Sequence, residues 1–201
     1  EGPRPAEKAG GAASGGGRAE LHESYNLGVL VRAPELLFRI DRAFGELKMD
    51  RIGPEDFSGA GPSALIDLIR QSLLEDDPEQ FLAERTEESL GETMAGARES
   101  FMKYHGGDAP TFEEALEAAL RLRQRTLERQ LADLRFYLMD VEQNPPEAAE
   151  MHDVHEARNH SLERINRISD SLRGIERALS DGVRSGTAPA APPRPPGGEG
   201  S

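Results

Sequence analysis

Two apolar stripes in the second half of the chain restrict it to very few folds. The first runs Leu116, Leu120, Leu127, Leu131, Leu134, Leu138, Val141 within "TFEEALEAALRLRQRTLERQLADLRFYLMDVEQ". Steps of three, four and seven place these side chains on one narrow line of an α-helix, the width of a coiled-coil seam. The second stripe runs Met151, Val154, Leu162, Ile165, Ile168, Leu172, Ile175, Leu179. Between them stands Asn144-Pro145-Pro146, which a regular helix does not run through. Two long amphipathic helices joined by a short break bury their stripes by folding back on each other, so the spacing predicts an antiparallel helical hairpin. Thr111 with Glu114 three residues on predicts a capping box at its start, and Gly182 is the expected stop at its end.

The upstream patterns are helical too. "AELHESYNLGVLVRA" sets Leu21, Tyr25, Leu27 or Gly28, and Val31 on one side, and Pro34 suits the first turn of the next helix, where its missing N–H is harmless. That next helix carries Leu37, Ile40, Phe44 and Leu47 at helical spacing. "IGPEDFSGAGPSALIDLI" then presents a Gly/Pro connection with a lone Phe57, followed by a buried face of Leu65, Ile66, Leu68, Ile69 and Leu73. Phe57 reads as an aromatic plug turned inward to close a bundle. Shorter helices are expected at Pro78–Ser89 and Gly91–Tyr104, and no segment alternates with the period of a strand. The expected fold class is all-α: an acidic helical bundle over 20–108, then a long helix and hairpin over 109–182. Residues 1–19 and 183–201 are Gly/Ala/Pro-rich and read as a disordered linker and tail.

Composition narrows the function classes. Hydrophobic residues make up 36% and aromatics 5%, with no Trp, which suits helices packed through Leu, Ile and Ala rather than one large core. The net charge is -13, with acids outnumbering bases most clearly between residues 20 and 110. No basic cluster stands out for phosphate neutralisation, so direct sequence-specific nucleic-acid binding is not expected. The chain has no cysteine, which removes disulfides and thiolate metal sites and fits a cytoplasmic setting. No run approaches the roughly 18–20 apolar residues of a membrane span. Residue 1 is Glu, and the chain reads as a piece of a longer protein.

Residues with catalytic or ligating chemistry are sparse. In "MHDVHEARNH", His152 shares a helical face with His155 or Glu156, and His160 follows; the pattern is not HExxH, and a solvated helix without metal is the expectation. Asp76, Asp77, Glu84, Glu87, Glu88 and Glu92 read as a solvated face rather than paired catalytic carboxylates. Arg121, Arg123, Arg125, Arg129 and Arg135 alternate with Glu117, Glu128, Asp133 and Asp140, which predicts ion pairing on the helix surface. Phe136, Tyr137, Leu138 and Met139 are consecutive and cover more than one helical face. Burial against the bundle and contact with a partner are both open to them.

"LGVLVRAPELLFRI", "IGPEDFSGAGPSALIDLI" and "LRLRQRTLERQLADLRFYL" together resemble the C-terminal helicase-binding region of bacterial replicative DNA primases. That family commonly has a PELL helix start, then an acid-acid-Phe turn followed about eight residues later by two apolar helix positions. Pro34-Glu35-Leu36-Leu37, Glu55-Asp56-Phe57 and Leu65-Ile66 stand in those places, and the likeness covers about residues 20–181. Pro62-Ser63 departs from it, where the family often has an amide or His followed by Arg.

The resemblance implies an adaptor that docks on the hexameric replicative DNA helicase. It would be no enzyme and hold no cofactor itself; zinc and magnesium would belong to upstream domains of the parent primase. Tyr137, Leu138, Val141, Met151, Val154 and His155 around the hairpin end are the expected partner contacts. Pro34, Leu37, Phe57, Leu65 and Ile66 are the expected structural residues. Two alternatives stand beside it: the N-terminal domain of the replicative helicase, which resembles the same bundle, and a structural coiled coil that self-associates.

Overall fold

A computed structural model describes residues 16–86, 90–144 and 151–185, with side chains over 20–86, 90–144 and 154–181. The described residues form seven α-helices and no strand, so the protein is all-α. The helices are α1 (Gly16–Arg32), α2 (Leu36–Glu46), α3 (Ala60–Ser72), α4 (Pro78–Arg85), α5 (Gly91–His105), α6 (Phe112–Gln143) and α7 (Met151–Ser185). No described helix is long and apolar enough to cross a membrane. The expectations for residues 1–15 and 186–201, and for Pro145, Pro146, Glu87 and Glu88, lie outside the described residues.

α1 is the central post. Residues 26–31 are buried all round, because α3, α5 and α6 all pack against this helix. Its closest neighbour is α5, and Gly28 is what lets the two backbones meet. A Cβ on Gly28 would lie 2.7 Å from the Phe101 Cβ and nearer still to the Ala97 carbonyl oxygen. Leu21, expected on the buried side, is instead exposed near the N-terminal end, beyond the reach of the core. α1 also starts at Gly16, a turn earlier than the linker expected over 1–19 allows.

α2 buries Leu36, Leu37, Ile40 and Phe44, as its spacing requires. Pro34 sits buried in the turn ahead of α2 rather than inside its first turn, and its carbonyl accepts the Leu37 N–H at 3.0 Å. α3 buries Leu65, Ile66 and Ile69 against the same core.

The connection from α2 to α3 is stapled by four charged side chains, one from each of four helices. Asp41 of α2 accepts the Ile52 N–H at 3.1 Å and pairs with Arg70 of α3 at 2.6 Å. Arg70 also donates to the Ile52 carbonyl at 2.6 Å. Glu23 of α1, itself buried, accepts the Ser58 N–H at 2.7 Å. Arg123 of α6 pairs with Asp56 at 2.7 Å and donates to the carbonyls of Asp50 and Arg51. A short 3-10 turn at Pro54–Asp56 leads into Phe57, which is 5% exposed and joins the core as the sequence predicts. Gly59, at φ 97°, then redirects the chain into α3.

Arg123 corrects the expectation of an all-surface arginine stripe. Arg121 does pair with Glu117 on the surface at 2.7 Å, but Arg123 is turned a further two positions round the helix, into the bundle. Its hydrogen bonds to loop carbonyls and Asp56 satisfy a charge that would otherwise be costly to bury.

α6 opens with the predicted capping box: the Glu114 N–H donates to Thr111 Oγ1 and the Thr111 N–H to Glu114 Oε2. Its first half packs on α1, α2 and the 3-10 turn, and α7 packs on α6. Arg158 reaches Glu142 at 3.5 Å, while Gly174 and Arg177 border the same cleft as Arg123 and Leu127. The two helices therefore run antiparallel. On α7 the covered positions are Ser161, Ile165, Ile168, Leu172, Ile175 and Leu179, an unbroken four-three alternation. Leu162 falls one position off that line and is 43% exposed, so it leaves the predicted stripe. α7 also runs through Gly182 to Ser185. The helical cost of one glycine, about 1 kcal/mol, does not end a helix already anchored at Ile175 and Leu179.

Candidate functional site

α7 runs along both halves of α6, and the bundle packs on the proximal half, where the fully buried positions of α6 lie. Proximally, Thr126 Oγ1 donates to the Asp56 carbonyl at 3.1 Å and Arg129 donates to Ser58 Oγ at 3.0 Å. Beyond Leu131 the apolar seam positions Leu134, Leu138 and Val141 on α6 and Val154 on α7 are half-buried, and the polar Ser161 between them is buried. Arg158 with Glu142 bridges the pair near its far end, and Asn144 closes α6 by donating to the Asp140 carboxylate at 2.9 Å.

A residue pair one apart on a helix is turned by about 100°, so one seam cannot shelter four consecutive apolar residues. Leu138 takes the seam. Phe136, two positions back, faces nearly opposite and is 67% exposed, and Tyr137 and Met139 are exposed on the two flanks. Phe136 and Met139 are three apart and so share an outward face. Burial against the bundle is thus excluded for these three.

Of the six residues expected to meet a partner, Tyr137 and His155 are exposed and Leu138, Val141 and Val154 are half-buried between the helices. All five lie toward the same end of the α6–α7 pair. Met151 opens α7, but its side chain lies outside those described, as does that of His152. Phe136 and Met139 were absent from that expected set and are more open than most of its members. The signal for them was the seam itself, because fixing Leu138 inward forces its neighbours outward.

Charge at the distal end is mixed and exposed: Arg135, Asp140, Glu142 and His155. Among the described residues no group of three His, Asp or Glu side chains is placed to hold a metal ion. Asp76, Asp77, Glu84 and Glu92 are exposed, and Asp77 caps α4 by accepting the Gln80 N–H at 3.0 Å.

The carboxyl group with strongly altered acidity is Asp56, far from this end. Burial pushes its pKa up to about 6 against the pull of Arg123 and the Gly53 N–H, which act to lower it. Its Oδ1 and the Arg123 Nε are both buried without a partner. The arrangement fixes a loop, because the other bonds of both side chains go to backbone groups of residues 50–53.

Comparison with protein-family models, with curated proteins and with solved structures finds no match to this chain.

Proposed function

We propose that this chain is the helicase-docking region of a bacterial replicative DNA primase, an adaptor that brings primer synthesis to the hexameric replicative helicase at the fork in the bacterial cytoplasm. The observation that carries the reading is the set of apolar side chains left open at the distal end of the α6–α7 pair: Phe136, Tyr137 and Met139. Aromatic and Met side chains are enriched at the cores of protein interfaces, and a few of them dominate the binding energy. The PELL, Glu55-Asp56-Phe57 and Leu65-Ile66 likeness supplies the partner's identity. On this reading the region has no catalytic residue or cofactor of its own, and zinc and magnesium serve the polymerase machinery elsewhere in the parent protein.

Tyr137→Asp is the informative substitution, since Tyr137 is exposed whereas Leu138 also holds the two helices together. In a purified binding assay against a bacterial replicative helicase, Tyr137→Asp is expected to weaken the affinity by roughly tenfold or more while thermal unfolding stays unchanged. Absence of affinity in the unaltered chain, or an affinity indifferent to this substitution, overturns the reading. A stable dimer in light scattering with no helicase binding favours self-association through the same residues.

A further inference from the structure

A second open apolar surface lies at the other end of α6, in a groove of about 530 Å³ between α1, α5 and α6. Its floor and sides include Leu21, Tyr25, Tyr104 and Ala118. The two tyrosine rings meet edge to face, 6.3 Å apart and 87° between planes, and Tyr104 is 56% exposed. Perpendicular aromatic faces around a small residue form a notch of the kind that accepts proline rings of a polyproline II segment.

The rim of the notch is acidic. Glu114 engages Thr111 and His105 through Oε2, and Glu117 engages Arg121 through Oε1. Both carboxylates act on Tyr25, whose hydroxyl pKa is raised first by burial and then by Glu114 and Glu117. Arg121 and His22 also border the groove, so a cation is favoured on the Glu114 side, away from Arg121.

The chain carries a sequence of matching chemistry. Pro192-Pro193-Arg194-Pro195-Pro196 contains two overlapping Pro-x-x-Pro spacings with an arginine at the centre. It follows α7, which ends at Ser185. The antiparallel register set by Arg158 with Glu142 places Ser185 level with about Ala115 of α6, the height of the notch. The six residues 186–191 reach at most about 20 Å, more than the roughly 10–12 Å diameter of the helix to be rounded.

We infer that the Tyr25–Tyr104 notch is a binding site for the chain's own Pro192–Pro196 segment, with the proline rings against the two tyrosines and Arg194 at the Glu114 carboxylate. The site is independent of the helicase reading and lies at the opposite end of α6.

The full chain has no cysteine, so Gly198→Cys gives one attachment point for a nitroxide spin label. Its three tyrosines then report by NMR, with Tyr137 as the internal reference about 28 Å along α6 from Ala118. The expected result is broadening of the Tyr25 and Tyr104 ring signals with Tyr137 left sharp, independent of protein concentration, and abolished by adding Arg194→Glu. Unbroadened signals, equal broadening of all three rings, or broadening that survives Arg194→Glu overturn the inference. Broadening that grows with concentration also overturns it, and assigns the notch to the tail of a second copy.

Discussion

Asp56 and Arg123 show what a single buried pair does in a protein with a thin aromatic core. The pair ties α6 to the connection between α2 and α3, and its energetic sign depends on pH. Asp56 has a folded pKa near 6 against 3.8 for the ordinary side chain, so the folded protein holds this proton more tightly than the unfolded chain. The stabilising contribution is therefore full below the unfolded value and is lost as pH rises through 6. The expected outcome is that the unfolding free energy of the wild type, relative to Asp56→Asn, falls by about 2 kcal/mol between about pH 4 and pH 7. Urea denaturation of both proteins across that range checks it. A difference that stays level with pH would mean that the carboxyl is not desolvated.

Among the elements, α7 is held by one edge. Its seam of Ser161, Ile165, Ile168, Leu172, Ile175 and Leu179 lies on α6, and the opposite face is open. Ile175 is fully buried, so Ile175→Ala leaves a cavity and is expected to cost about 2–5 kcal/mol. Leu162→Ala removes a side chain of similar size from an exposed position and is expected to change stability by no more than about 0.5 kcal/mol. Chemical denaturation of the two variants measures the contrast directly. Equal losses would place Leu162 in the seam and shift the register of α7 by one residue.

At the scale of the whole molecule, packing thins from one end to the other. α1 is surrounded, whereas the distal part of α6 has α7 as its neighbour and carries exposed Phe136, Tyr137 and Met139. Local opening is least costly where few apolar contacts must break. Amide hydrogen exchange is thus expected to be faster over 134–143 and 154–162 than over 27–31 and 97–101, read by mass spectrometry of the native protein. Uniform protection along α6 would show that the far end is as firmly held as the bundle.

The all-α class, the capping box of α6, the inward Phe57 and the core positions of α2 and α3 were legible in spacing alone, because helical period, local capping and connection chemistry are properties of neighbours in the chain. The seam of α7 was legible to within one residue: its apolar line was read through Leu162, whereas the four-three alternation runs through Ser161, a polar residue whose hydroxyl is satisfied by the Ala157 carbonyl. Gly182 looked like a stop because local propensity says so, and packing on α6 upstream outweighed it. Arg123 looked like one more surface arginine because its partner, Asp56, is 67 residues away in the chain and comes near only when the bundle closes. The same holds for the Tyr25–Tyr104 notch, which exists because Gly28 lets α1 and α5 approach closely enough to bring two tyrosines together. Local pattern specifies elements and their apolar faces; long-range closure selects which charges are buried and which aromatics are left at the surface.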